Sequence, residues 1–451
     1  MNPTESHVFF TDWKHFYHTA ERGEGVYLYD NEGKRYLDGV GGMLVVTIGY
    51  GVPEIADAMA AQARKLCFAN RNIFTNDPQE RLADKIIEMT PSGMDRVFFV
   101  TSGTSANETA MQIARQYHTQ RGNQRRYKII GQWHNYYGAT IGSLSMSGNF
   151  ATRRDMDMDP YLLDFPHIQA PFCYHCPYQL SYPSCQLACA TDLARTIEQE
   201  GPDTIAAFIA TPVIGTSGAI VPPAGYYEKI REICDQYDIL FIADEIITGF
   251  GRLGKNFGIE HWNALPDIIT TGKTLGSGYA PIGAVIVHQH IWDTLVNGKK
   301  NNIRLMCTYS GHPISCATAL AVQNYLVEHN LVERCALMGQ YLKHALQKLA
   351  ERQALIGDVR GEGLLLCVEF VQDRDTHQPF PRAMQVVEKV VQAAFKQGLM
   401  LLSRFGTGTS KDGDHISISP PFIISESECD ELVAILEASI IEVTQTLKLT
   451  D

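Results

Sequence analysis

Lys273 sits in the segment TTGKTLGSG, among glycines and small side chains, at the end of the apolar run DIITT. A lysine delivered there can be stripped of water, which lowers the proton affinity of its amine and makes it a nucleophile. Asp244, 29 residues earlier, follows a second apolar run, ILFIA, and a carboxylate emerging from such a strand needs a cationic or N–H partner. A third run, VFFVT, passes into Ser102-Gly103-Thr104 and then a predicted helix over 105–118. Small residues and free backbone N–H groups at a helix N-terminus suit an anion such as phosphate. Past a further strand end, Trp133, His134, Tyr136 and Tyr137 offer a face for stacking a flat ring. Singly, the charged residues fit solvated loops and the aromatics fit a core. Together they describe one ligand, with phosphate at Ser102, Gly103 and Thr104, a ring against Tyr136, a protonated ring nitrogen on Asp244 and an aldehyde carbon at Lys273. Pyridoxal 5'-phosphate has all four features.

The elements that must hold these residues are legible in the same text. From about Pro53, amphipathic stretches alternate with short apolar runs at Val97–Thr101, Tyr127–Gly131, Ile205–Ala210, Ile239–Ala243, Asp267–Thr271 and Gly283–His288. Apolar runs without alternation are strands buried on both faces, so the spacing predicts an α/β fold with a mostly parallel central sheet flanked by helices. Ligands of such sheets gather at the strand ends, where the candidate residues lie. After about Cys316 the pattern changes to helices at Ala317–Val327 and Val332–Arg352, a strand at Leu364–Val371, a helix at Ala383–Gln397, a strand at His415–Ser419 and a last helix from Ser425, with Glu428 closing a capping box. This predicts a smaller α+β domain. The first residues, with a hairpin in VYLYDNEGKRYLDG, join it, giving an N-terminal segment over 1–52, a large cofactor-binding domain over 53–316 and a small domain over 317–451. Two nucleotide-like motifs are set aside. Gly249-Phe-Gly251-Arg-Leu-Gly254 does not directly follow a strand, and Gly272-Lys273-Thr274 lacks the P-loop glycine five residues before Gly272, where Asp267 stands.

The 451 residues carry 38 basic and 50 acidic side chains, a net charge of −12, which argues against nucleic acid or an anionic membrane as partner. No run approaches the ~18 apolar residues of a membrane span, and a cytoplasmic enzyme is expected. Eleven cysteines scattered through so long a chain suit reduced thiols. Cys173, Cys176, Cys185 and Cys189 alone form a cluster, whose spacing fits either a zinc site or packed thiols in a Pro- and Tyr-rich loop, and no metal is assigned to the active site.

From Gly23 to about Thr446 the sequence resembles the class-III aminotransferases of the fold-type-I pyridoxal-phosphate superfamily. The stretches that carry the resemblance are RGEGVYLYDNEGKRYLDG, RVFFVTSGTSANETA, YYGATIGSLSMSG, GTSGAIVPPAGYY, ADEIITGFGRLG, TTGKTLGSGYAPIGAV, TYSGHPISCA and GDHISISPPFI. Ile246-Ile247 and the last segment look most like the amine:pyruvate, or ω-amino acid, branch. The resemblance implies a transaminase that moves an amino group from a primary amine or ω-amino acid to a keto acid such as pyruvate, or to an aldehyde or ketone, in two half-reactions. It implies that Lys273 forms the Schiff base and shuttles the proton, that Asp244 keeps the pyridine nitrogen protonated, and that Ile246 packs on the ring face opposite Tyr136. Gly103 and Thr104 would bind phosphate, with Thr308 reaching the phosphate of a neighbouring subunit, which makes the active unit a homodimer or a tetramer. Departures from the family pattern fall around the substrate. Thr211 replaces a glutamate, Ser105 an acidic residue, Tyr137 a histidine and Leu44 a tryptophan, which suggests a roomier or reshaped pocket. Ser410 stands where a carboxylate-binding arginine is usual, and Arg404, further back, is the candidate substitute. A racemase or decarboxylating transaminase with the same lysine and aspartate, and a non-catalytic scaffold, are the alternative readings.

Overall fold

The computed structural model describes residues 3–149, 152–153, 156–299, 303–406 and 413–448. At its centre is a seven-stranded sheet in the order Met94–Val100, Gly283–His288, Ile268–Thr271, Leu240–Asp244, Ile205–Ala210, Lys128–Gln132 and His167–Ile168. Every residue of Ile205–Ala210 and Leu240–Asp244 is buried, as strands covered on both faces require. Only Gly283–His288 runs antiparallel to its neighbours. The link from Thr271 to Gly283 holds a single short 3-10 turn, Lys273–Leu275, and a parallel return needs a longer crossover, usually a helix. The remaining strands are parallel, so their carboxyl ends share one edge of the sheet.

Two smaller sheets complete the fold. Ile356–Glu362, Leu365–Asp373, Asp414–Ile418 and Leu402–Phe405 pair antiparallel in that order. Near the N-terminus, Ala20–Glu24, Tyr27–Asp30 and Arg35–Asp38 form a meander that contains the expected hairpin, and Leu399–Met400 adds a parallel strand beside Arg35–Asp38. Long helices follow at Pro313–Glu328 and Leu331–Arg352. The terminal helix, Glu426–Leu447, opens with Ser425 accepting from the Glu428 N–H while the Glu428 carboxylate takes the Ser425 N–H at 2.7 Å.

The structure corrects the sequence reading in three places. Ile356–Glu362 is a strand that the sequence did not predict, since Asp358, Arg360 and Glu362 interrupt its apolar positions. The helix expected from Ala383 begins at Val386, because Gln385 adopts a left-handed φ of 50° after the 3-10 turn Arg382–Met384. The helix expected from Ser105 begins at Gly103, which makes Ser102 its N-cap.

Candidate active site

The shared edge delivers the candidate residues to one place. Past Val100, the Ser102 hydroxyl accepts from the Ser105 N–H at 3.1 Å, and the Ala106 N–H returns to the Ser102 carbonyl. The N–H groups of Gly103 and Thr104 are therefore the first-turn donors left without an intrahelical partner, at the positive end of an 18-residue helix. Gly103 is required by close approach: a Cβ there would lie 2.8 Å from Cδ1 and 2.9 Å from Cγ2 of Ile246. A side chain at this position would fill the cradle that the bare N–H groups form.

Asp244 ends its strand 3% exposed. Its Oδ1 accepts from the Ile246 N–H at 3.0 Å and its Oδ2 from Asn107 Nδ2 at 3.0 Å. Asn107 is fixed in turn, donating to the Tyr137 carbonyl at 2.8 Å and accepting from the Thr270 hydroxyl at 2.7 Å. Burial pushes the Asp244 carboxyl up to about 6, while the Ile246 N–H, the Asn107 amide and Lys273 favour its ionised form. A cationic hydrogen-bond donor is the partner this carboxylate lacks. Glu245, one residue on, is equally buried and wholly structural: it takes the Gly258 and Ile259 N–H groups at 2.9 and 2.7 Å together with the Thr248 hydroxyl.

Lys273 follows Gly272 directly after the strand Ile268–Thr271 and holds a φ of 38°. A left-handed conformation in a residue with a Cβ stores of order 1 kcal/mol and persists where the surroundings dictate it. Burial lowers its amine to about 8, against the pull of Asp244 and with help from Arg404 and Arg252.

A cavity of about 170 Å³ unites Ser102, Gly103, Thr104, Tyr136, Asp244, Ile246 and Lys273, with Thr211 and Thr216 along its wall. The inventory fits pyridoxal 5'-phosphate. Its lining includes the helix-start segment with the free N–H groups, a buried carboxylate held so far only by neutral donors, an amine, and an aromatic and a branched aliphatic side chain. A second cavity of about 590 Å³ shares Tyr136, Thr216, Ile247 and Lys273 with the first and adds Met43, Leu44, Ser403, Arg404 and Phe405. Lys273 and Arg404 are the only charged side chains among its described lining residues. Leu44 is buried and takes a left-handed φ of 60°. The Thr211 hydroxyl donates to Asn135 Oδ1 at 3.0 Å, and Tyr137, fully buried, donates its hydroxyl to the Ile209 carbonyl at 2.9 Å.

Other predicted residues lie apart. Thr308 is exposed and lines neither cavity, and Ser410 lies outside the described residues. Cys173, Cys176, Cys185 and Cys189 surround a space of about 20 Å³, and all are free. Among the described residues no set of His, Cys, Asp or Glu side chains is arranged to hold a metal ion. Sequence reasoning missed Asn107 and Thr270, which orient Asp244. The available signal was a polar residue on a helix face otherwise made of Ala106, Ala110, Ile113 and Ala114.

Comparison with known proteins gives a consistent result. Residues 10–440 match the family model for aminotransferase class-III. An uncharacterized aminotransferase of Bacillus subtilis, YodT, is 39% identical over 96% of this chain and 97% of its own. A putrescine–pyruvate aminotransferase of Pseudomonas aeruginosa is 36% identical over 94% of this chain and 92% of its own. The solved structure of an amine transaminase from an uncultivated Pseudomonas species, in its PLP-bound form, matches with a TM-score of 0.89 at 34% identity over 98% of each chain.

Proposed function

The chain belongs to the class-III aminotransferases and is a pyridoxal-phosphate-dependent enzyme; from that premise we propose that it moves an amino group from a primary amine or ω-amino acid to a keto acid such as pyruvate. The observation that carries this reading is the pair of cavities meeting at Lys273, one suited to the cofactor and the other larger, of mixed polar and apolar lining, with one guanidinium among its described lining residues.

Bound in the smaller cavity, the cofactor supplies an aldehyde that takes up amino groups and a ring that acts as an electron sink. The N–H groups of Gly103 and Thr104, with the Ser102 cap beside them, bind its phosphate. Tyr136 and Ile246 hold the ring between them. Asp244 keeps a proton on the ring nitrogen, and Asn107 and Thr270 keep Asp244 aimed. Lys273 Nζ removes the proton from substrate Cα as general base and returns one as general acid. Leu44 and Thr211 shape the wall for the donor, and Arg404 receives the carboxylate of the acceptor.

Thr308 reaches the phosphate site of a second copy in a homodimer. Its exposure between Met306 (87% exposed) and Tyr309 (56%), with Phe68 packed against Tyr309, supports a covered apolar surface there. The eleven free thiols fit a reducing compartment, the cytoplasm.

The deciding experiment incubates the holoenzyme with pyruvate and a panel of amines, ω-amino acids and α-amino acids and measures alanine formed. Transfer from at least one donor, with parallel-line kinetics, is expected. No transfer from any donor would overturn the proposal, and carbon dioxide release or racemisation without a keto product would assign the alternative chemistry.

Two further outcomes follow from the geometry. An amine lowered to about 8 is increasingly unprotonated above that pH, so capture of pyridoxal phosphate by the apoprotein should accelerate from pH 7 to pH 9. Stopped-flow absorbance that slows or stays flat over this range would remove the lysine from that step. Arg404→Gln should raise KM for pyruvate about tenfold or more, the loss of one charged hydrogen bond, and leave KM for a neutral aldehyde acceptor within about twofold. Equal losses for the two acceptors would show a merely structural arginine.

A further inference from the structure

A row of polar side chains runs behind the larger cavity. Strand register sets Asp358 opposite Glu369, Glu369 opposite His415 and His415 opposite Arg404, so the four stand side by side on one face of the antiparallel sheet. Opposed residues lie about 5 Å apart at Cβ, close enough for an acid and a guanidinium to pair.

The row is settled at one end and open at the other. Arg360 Nη1 donates to Glu369 Oε2 at 2.5 Å and to Asp358 at 2.9 Å, and His175 Nε2 lies 2.5 Å from Glu369 Oε1. Burial opposes ionisation of Glu369, yet Arg360 and His175 hold its carboxyl down at about 2. At the cavity end, Arg404 Nε has no hydrogen-bond partner among the described residues. Burial lowers the proton affinity of that guanidinium, and no carboxylate among the described residues opposes it.

Between the two ends stands His415, fully buried, with neither ring nitrogen hydrogen-bonded among the described residues. It is hemmed in by protein: a Cβ on Gly218, at φ 93°, would lie 3.2 Å from its Cδ2. The Gly218 carbonyl is held by Arg360 Nε at 2.5 Å, and the preceding turn contributes Gly215 and Thr216 to the cavity wall. Burial, Arg360 and Arg404 together push the imidazole down to about 3, so it carries no charge into the row.

We infer that His415 is a positioning residue for substrate selection: it keeps the acid of the row two strands away from Arg404, so that the guanidinium stays free for a carboxylate or sulfonate on the substrate. The inference rests on the transaminase reading and narrows its substrate class. With no acidic side chain among the described residues of the larger cavity, a second ammonium finds no counter-charge, and ω-amino acids are selected over diamines.

The test exchanges the two residues, Glu369→His with His415→Glu, which conserves the charge of the row and puts the acid beside Arg404. In the holoenzyme, KM for pyruvate should rise about tenfold or more, and binding of propionate, measured by calorimetry, should weaken by the same factor. The value of kcat/KM for a neutral aldehyde acceptor should stay within about twofold of the parent. His415→Gln, which adds no charge, should leave pyruvate and propionate binding within about twofold. Unchanged anion binding in the exchange variant, or an equal loss for the neutral aldehyde, would overturn the inference. So would an anion-selective loss in His415→Gln, which would make the imidazole itself the ligand. If the exchange variant does not fold, the unmodified enzyme decides, because putrescine used as well as β-alanine would overturn the inference. Absence of amino transfer from every donor would defeat the transaminase reading separately, and propionate binding would still judge the row.

Discussion

Lys273→Ala is expected to lower kcat for amino transfer by about 10⁴-fold, the upper end of what one positioned proton-transferring group contributes. No described side chain can stand in for it. Arg404 is the other cation of the larger cavity, and a guanidinium does not give up its proton in this pH range. Asp244 is committed to Ile246 and Asn107. The loss should be specific to chemistry, because among the described residues Lys273 makes hydrogen bonds only through its backbone carbonyl, which accepts from Gly276 and Ser277, and alanine leaves those in place. The measurement pairs single-turnover kinetics with a thermal melt. A folded variant that keeps more than about a hundredth of the wild-type kcat would exclude Lys273 as the proton carrier.

Asp244→Asn should lower kcat/KM by about 10²–10³-fold, the range found on removing a fixed electrostatic group from a reacting centre. The substitution preserves volume and removes charge from a site where burial already makes charge expensive. It also upsets the hydrogen-bond chain. Asn107 Nδ2 now donates to a carboxylate oxygen, and with an amide nitrogen in that place two donors would face each other. Rotating the Asn107 amide to relieve this would break its bonds to Thr270 and the Tyr137 carbonyl. A displaced absorption band of the bound cofactor should accompany the rate loss. Kinetics within about tenfold of wild type would remove Asp244 from the ring nitrogen.

Much of this site could be read from the chain because burial leaves few options for charge. Asp244 and Lys273 end apolar strands, where an ionised group needs a reason to be present. Ile205–Ala210 and Gly283–His288 were legible to the residue, since apolar strands broken by turn signals have sharp ends. The supporting residues were not. Asn107 in a helix and Thr270 in a strand look ordinary until the fold sets both beside Asp244. The strand Ile356–Glu362 was hidden by the charges that give it its purpose, for Asp358, opposite Glu369, and Arg360, which donates to both acids, are intelligible only once the strands are paired. Arg404 could be nominated from the sequence, but its neighbour His415 follows from strand register, which no local pattern specifies.

The parallel pairing of Leu37 with Leu399 spans 399 − 37 = 362 positions of the chain. During synthesis, the N-terminal meander leaves the ribosome hundreds of residues before the strand that completes its sheet. A nascent chain halted anywhere short of Leu399 leaves the outer side of Arg35–Asp38 unpaired, and such edges invite pairing between chains. Completion of that four-stranded sheet is therefore a late event in the birth of the molecule.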